Sequence, residues 1–418
     1  MRVNEKLKRI TEDTIVVGVD IAKKKHYARF VDYRGELIYR TISFDNNQFG
    51  FEKLIESINV VKEKTGKEDV IVGCEPTGHY WFNLRDYMKN KEIELVIVST
   101  FATKNAKEFD DNSPTKSDPK DALVIAKLVA EGRYSEPVQR EGVYQEINSG
   151  QSTIEDLTDE IIRLKNKIHR WNDIHFPEIE TVYSIKSREY EEFAKLALTP
   201  KEITEMTEEE LITKLTENNH YADKKKISII KTLASVSVGC EANEYDKKEI
   251  KRLINRLVEV INEKKELQKS LISKASEIDY VENIVEITGI GYGHMIPIIS
   301  ECGDLRKYSH YKQVMKMAGL GLKENSSGMK KGRKHINKRG RAQLRKDLKL
   351  AALSLIKNND AFKSLHEYYT QKRDRRLEKL VSVNAIIHKL VRVIMAIVKS
   401  GEKFSKEKMI SESCISYS

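Results

Sequence analysis

Four carboxylates carry the chemistry legible in the first third of the chain. Asp20 sits in the apolar run Ile15-Val16-Val17-Gly18-Val19-Asp20-Ile21, where burying an unpaired acid costs several kcal/mol or forces protonation. A hydrogen bond into a turn or a metal ion would relieve that cost. Glu75 follows a second apolar run, Val70 to Cys74, and precedes Pro76-Thr77-Gly78, so its side chain is presented at the C-terminal edge of a strand. Asp118 and Asp121 lie in KSDPKDALVIAKLVAEG, where Asp118 suits an N-cap, Pro119 position N1 and Asp121 position N3. Alone, this pair reads as ordinary capping. Together with Asp20 and Glu75 it adds two acids on one helix face, and four carboxylates suit two Mg²⁺ ions about 3.5–4 Å apart, clamping the attacking and leaving oxygens of a phosphodiester. Mn²⁺ can substitute at such an all-oxygen site. Glu108, Asp110 and Asp111 read as loop surface.

A second constellation lies towards the other end. Ile287-Thr288-Gly289-Ile290-Gly291, followed by an apolar helix, has the form of a helix-hairpin-helix turn in which Gly289 and Gly291 let backbone amides approach a phosphate. An ordinary tight turn explains the same residues equally well. Farther on, Asn325-Ser326-Ser327-Gly328 precedes a segment in which half of the twenty residues from Lys330 to Lys349 are Lys or Arg. That density repels itself without a polyanion, so Lys330, Lys331, Arg333, Lys334, Lys338, Arg339, Arg341 and Arg345 are expected at nucleic-acid phosphates. A serine flanked by glycine and cations is either a flexible polar loop or a nucleophile whose target phosphate the cations hold. His335 is the only histidine near it, and phosphate contact accounts for that residue as well.

Positioning the acids requires a sheet. IVVGVDIA, HYARFVDY and ELIYRTISF read as an antiparallel meander with Arg34-Gly35 in the second turn. Asn46 or Asn47 caps a helix ended by Gly66, a fourth strand runs from Val70 to Cys74, a helix carries Tyr80, Trp81, Leu84 and Met88, and IELVIVS is a fifth strand. The order β-β-β-α-β-α-β-α predicts a ribonuclease-H-like domain of α/β class. From about residue 142 the pattern is helical only. Ile154, Leu157, Ile161, Leu164, Ile168 and Trp171, and then Ile250, Ile254, Leu257 and Ile261, follow 3,4-spacing and predict an antiparallel hairpin or coiled coil. TPKEITEMTEEEL reads as a capped short helix between them.

The whole chain sets bounds on this reading. Its 418 residues suffice for two or three domains. A net charge of +10 and a pI near 9.0 point to a polyanionic partner, although charged residues at 33% leave much of this as solvated helix surface. Cys74, Cys240, Cys302 and Cys414 show neither metal-ligand nor disulfide spacing, which suits reduced thiols in a cytoplasm. The N-terminus reads as lacking a signal segment, and no run of roughly 18 apolar residues is apparent, so no membrane role is expected.

GVDIAKKKH, EPTGHYW, KSDPKDA, ITGIG, ECGDLRKY, AGLGL, NSSG and INKRGRAQLR occur in this order along nearly the whole chain. Together they resemble the insertion-sequence transposases numbered one hundred and ten, which are RNA-guided DNA recombinases. The resemblance implies a RuvC-like domain whose DEDD carboxylates map onto Asp20, Glu75, Asp118 and Asp121. It also implies a C-terminal transposase domain whose serine maps onto Ser327, the residue before glycine, with Ser326 in reserve. It further implies a covalent phosphoserine intermediate, a structured non-coding bridge RNA pairing with donor and target DNA, and a homo-oligomer, dimer or dimer of dimers. In such an assembly one protomer's carboxylates meet another's serine.

The expected organisation is residues 1–141 as the catalytic domain, 142–280 as a helical oligomerisation and nucleic-acid region, 281–400 as a mainly helical serine-bearing domain, and 401–418 as a flexible tail. The competing readings are a metal-dependent DNA nuclease or Holliday-junction resolvase without covalent serine chemistry, and a non-catalytic nucleic-acid-binding protein.

Overall fold

An unbroken apolar run makes Thr14–Asp20 a strand buried on both faces, and in the computed structural model this strand, β1, is the centre of a five-stranded sheet. The structure describes residues 3–110, 118–138, 140–216, 223–323, 335–373, 376–407 and 409. They fall into two units, Met1–Gln139 and Arg140–Ser418.

In the first unit, α1 (Val3–Leu7) precedes β1. β2 (Lys25–Val31) pairs antiparallel with β1, Asp20 opposite Tyr27, and β3 (Ile42–Asp45) pairs antiparallel with β2. α2 (Gln48–Thr65) starts where the Asn47 side chain accepts a 2.9 Å hydrogen bond from the Gly50 amide, and ends at Gly66 with φ 68°. β4 (Asp69–Cys74) runs parallel to β1, α3 (Phe82–Asn90) follows, and β5 (Glu94–Ile97) runs parallel to β4. α4 (Thr100–Asp110) and α5 (Asp118–Ala130) complete the unit. The sheet order β3-β2-β1-β4-β5 is the mixed arrangement expected of a ribonuclease-H-like domain. Leu54 and Ile58 of α2 with Leu84 and Met88 of α3 cover one face, while Ile125 and Val129 of α5 cover the other.

Three local expectations change. The third strand is confined to Ile42–Asp45, with only an isolated bridge from Val31 to Leu37 before it. Tyr80 and Trp81 precede α3 rather than lying within it. Glu108 and Asp110 belong to α4 rather than to a loop; Asp111 lies outside the described residues.

In the second unit, α6 (Val143–His175) is followed by a 3₁₀ turn (Pro177–Thr181), by α7 (Arg188–Leu196), α8 (Pro200–Glu205), α9 (Glu208–Thr216) and α10 (Lys224–Ser235), and by α11 (Glu244–Ser276). The two long helices are antiparallel: Lys274 meets Glu146 at 3.0 Å, Arg256 meets Glu160 at 2.8 Å, and the Trp171 indole donates to the Asp246 carbonyl at 3.0 Å. Leu157, Leu164 and Ile168 pack with Ile250 and Leu257, and Phe176, Tyr190 and Phe193 join the same core. The 3,4-spaced stripes therefore close a hairpin within one chain, because α7–α10 fold back onto it. Thr199 caps α8 reciprocally with Glu202, as TPKE predicts.

The remaining α-helices and strands are α12 (Asp279–Val285), α13 (Tyr292–Cys302), α14 (Tyr311–Met317), β6 (Leu322–Lys323), β7 (His335–Ile336), α15 (Ala342–Asn358), α16 (Asp360–Glu367) and α17 (Lys379–Ser400). Contrary to the expectation from sequence, α17 is by length and composition long and apolar enough to cross a membrane. Lys389 and Arg392 interrupt the run while its mean hydropathy stays high. In this fold 61% of its most apolar 18-residue stretch is buried, with Ile386, Leu390 and Ile394 in the unit's core.

Candidate catalytic site

The strand pleat and two glycines set the geometry of the acidic site. Side chains two apart share a face, so Asp20 lies on the face of Gly18, and Glu75 on that of Gly73. Gly18 is level with Gly73 and Val19 with Cys74, which brings Asp20 and Glu75 level at the C-terminal edge of adjacent parallel strands. Gly18 is required there: an added Cβ would lie 2.2 Å from the Ala122 carbonyl oxygen and 2.3 Å from the Ala126 nitrogen. At Gly73 it would lie 2.3 Å from Val129 Cγ2. The backbone of α5 thus rests on the sheet. Its later residue Lys127 is 3.5 Å from an added Cβ at Gly35, beyond the opposite end of β1, so the N-terminal turn of α5 faces Asp20 and Glu75.

That turn carries Asp118 and Asp121. Asp121 is buried, and its Oδ2 lies 2.6 Å from the Lys107 ammonium of α4. The backbone of Asp118 belongs to α5; its side chain lies outside the described residues. One turn before Lys107 on α4, buried Thr103 donates its hydroxyl to Glu75 Oε2 at 2.6 Å. Residues at i and i+4 share a helix face, so a single face of α4 reaches Glu75, just after β4, and Asp121 of α5. Thr103 and Lys107 were not among the sequence candidates. The available signal was a hydroxyl and an amine four apart, directly after the fifth strand, on a helix whose Ala102 and Ala106 pack inward. Burial, reinforced by the charge of Glu75, pushes the neighbouring Cys74 thiol up to about 12, which keeps it a protonated, unreactive thiol.

The donor chemistry fits a hard divalent cation, since Asp20, Glu75 and Asp121 offer only carboxylate oxygens. The Lys107 ammonium shows that the Asp121 position already stabilises a positive charge. Among the described residues no group of three or more His, Cys, Asp or Glu side chains is close enough to hold a metal ion.

Ser326, Ser327, Lys330, Lys331, Arg333 and Lys334 lie outside the described residues. The segments on either side of them are held together: Lys323 pairs with His335 and Leu322 with Ile336. The Asn337 amide donates to the Gly321 carbonyl at 2.8 Å, and the Arg341 amide to Met317 at 2.7 Å. Gly319 (φ 66°) and Gly340 permit this approach, an added Cβ at Gly340 falling 2.4 Å from the Gly319 nitrogen.

The expected phosphate contacts divide here. Arg345 donates to the carbonyls of Ala318 at 2.9 Å and Lys338 at 3.4 Å. Arg341 donates to the Glu301 carbonyl and to its carboxylate at 3.1 Å. Both guanidinium groups donate within the frame; Lys338, Arg339 and His335 lie at the exposed surface. Gly289 (φ 97°) sits against α15, where an added Cβ would be 3.2 Å from the Ser354 carbonyl, so close packing explains this glycine. Gly291 is the extended N-cap of α13 and faces open space.

A family model described as a transposase, of the DEDD type named for IS110, matches residues 17–177. A second, described as a transposase of the IS116/IS110/IS902 family, matches residues 281–369. No curated protein matches the chain. The first match covers Asp20, Glu75, Asp118 and Asp121, and a DEDD domain of this type suggests dependence on a divalent metal. The second match covers the paired segments around residues 324–334.

Proposed function

The chain belongs to the IS110 family of transposases, enzymes that cleave and rejoin DNA, and from that premise we propose that it exchanges strands through Ser327, assisted by a metal centre of Asp20, Glu75, Asp118 and Asp121. What supports this most is the parallel register of β1 and β4, Val19 opposite Cys74, which puts Asp20 and Glu75 at the same sheet edge as the first turn of α5 with Asp118 and Asp121. Two Mg²⁺ ions, with Mn²⁺ as substitute, would neutralise charge gathering on the scissile phosphate.

The Ser327 hydroxyl oxygen attacks phosphorus. An O–P bond to serine forms as the bond to one deoxyribose oxygen breaks, the serine proton leaves, and the departing oxygen takes one up. The number of phosphoester bonds is unchanged, so a free hydroxyl on the partner strand can reverse the step and rejoin the DNA without an external energy source. Lys330, Lys331, Arg333, Lys334, Lys338 and Arg339 hold the DNA phosphates.

A structured non-coding RNA selects donor and target by base pairing. The chain acts in the cytoplasm as a homo-oligomer in which one protomer's carboxylates serve another's serine, with residues 142–280 providing oligomer and nucleic-acid contacts. A resolvase-like nuclease is the second reading, because a metal centre built on the four carboxylates would cleave DNA with an activated water and need no serine.

Purified protein with Mg²⁺, RNA encoded beside the gene and matching DNA separates the two. Ser327→Ala is expected to abolish strand exchange and the covalent protein–DNA adduct on denaturing gels while RNA binding persists. Continued cleavage by Ser327→Ala, lost only in Asp20→Asn or Glu75→Gln, would establish the nuclease instead. An adduct that disappears only in Ser326→Ala would move the nucleophile by one residue.

A further inference from the structure

We propose that α4 tunes the acidic site for its cation: Thr103 is a positioning residue for the Glu75 carboxylate, and Lys107 holds the cation's place beside Asp121 until a divalent ion binds. This rests on the reading of the carboxylates as a metal centre. Thr103 is 2% exposed. Its hydroxyl is 2.6 Å from Glu75 Oε2 and 3.0 Å from the Thr100 carbonyl. A hydroxyl has one proton, and the shorter contact, to a charged acceptor, takes it. The bond fixes the orientation of Glu75, as partners outside the ligand set do at metal centres.

Lys107 differs from Thr103 in being able to leave. Its side chain is 36% exposed whereas that of Asp121 is 10% exposed, so the buried member of the pair is the acid. A buried carboxylate left without positive charge is costly, and Lys107 supplies that charge on a flexible stem reaching in from solvent. The stem can swing out without opening the core. A divalent ion at Asp121 would have to displace or repel it, so Lys107 lowers metal affinity while protecting the metal-free site. An ion pair that merely docks α4 onto α5 would leave metal affinity untouched.

The test is Mn²⁺ binding to the full chain, followed by the electron paramagnetic resonance signal of free Mn²⁺, with thermal melts in EDTA and in Mn²⁺. Lys107→Met is expected to bind Mn²⁺ roughly threefold to tenfold more tightly, as a half-exposed opposing charge is removed. It should melt lower than wild type in EDTA and recover more on adding Mn²⁺. Thr103→Val is expected to bind about tenfold or more weakly, and Thr103→Ser, which keeps the donor, like wild type. Wild-type Mn²⁺ affinity in both Lys107→Met and Thr103→Val, alongside its loss in Asp20→Asn, would overturn the role of α4 and leave the metal centre standing. Unchanged binding in Asp20→Asn would overturn the metal centre, and the role of α4 with it.

Discussion

Two buried aspartates show how differently one side chain behaves in two settings. Asp121 meets a cation, Lys107, at 2.6 Å. Asp347 on α15 is 7% exposed, accepts one hydrogen bond from Gln343 at 3.3 Å, and among the described residues its Oδ2 has no partner. Burial pushes its carboxyl up to about 6, with the charges of Glu155 and Glu301 adding to the shift and Lys346 opposing it. The unfolded side chain titrates near 3.9. Between about pH 4 and pH 6 the folded chain therefore keeps a proton that the unfolded chain has released, and this contribution to stability is lost as pH rises through 6. Asp347→Asn is expected to raise stability by about 1–2 kcal/mol at pH 7.5, with little change at pH 4. Urea denaturation at both pH values checks this, and equal gains at the two would show that the charge is not the cause.

At the scale of elements, α5 decides whether the acids meet. Its backbone contacts Gly18 so closely that Gly18→Ala puts a methyl 2.2 Å from the Ala122 carbonyl. The backbone on both sides has no flexible end to give way, so the helix must lift. Gly18→Ala is expected to cost about 1–3 kcal/mol and to remove DNA cleavage even where the protein remains folded. A denaturant titration paired with a cleavage assay tests this, and wild-type cleavage in the variant would show that α5 does not set the site. The paired segments of the second unit obey the same logic. Arg345 holds the Ala318 and Lys338 carbonyls, and Gly319 and Gly340 allow the backbones to touch, so a sequence rich in cations uses some of them as internal donors.

At the scale of the molecule, the proposed sharing of sites between protomers has a direct consequence. Asp20→Asn and Ser327→Ala are each expected to be inactive alone. Mixed and co-assembled, they should recover part of the strand exchange, since some oligomers then join an intact carboxylate centre to an intact serine. Gel analysis of recombined DNA reads this out, and no recovery across mixing ratios would mean that each protomer uses its own pair. The +10 charge of the chain serves the same assembly by drawing nucleic acid to it.

Local pattern determined much of this protein from sequence alone. The apolar run ending at Asp20, the strand leading to Glu75, the Asn47 and Thr199 caps and the 3,4-spacing of the long helices are written in neighbouring residues, and each element formed close to where it was expected. Tertiary structure decided what depends on residues distant in the chain. Thr103 bonds an acid 28 positions away and Arg345 a carbonyl 27 positions away, and no period in the sequence records either pairing. The stripes of α6 and α11 likewise announced a hairpin, but not that α7–α10 would pack into the same core. Composition could supply cations and carboxylates; which of them face each other was settled only when sheet register and helix packing fixed their distances.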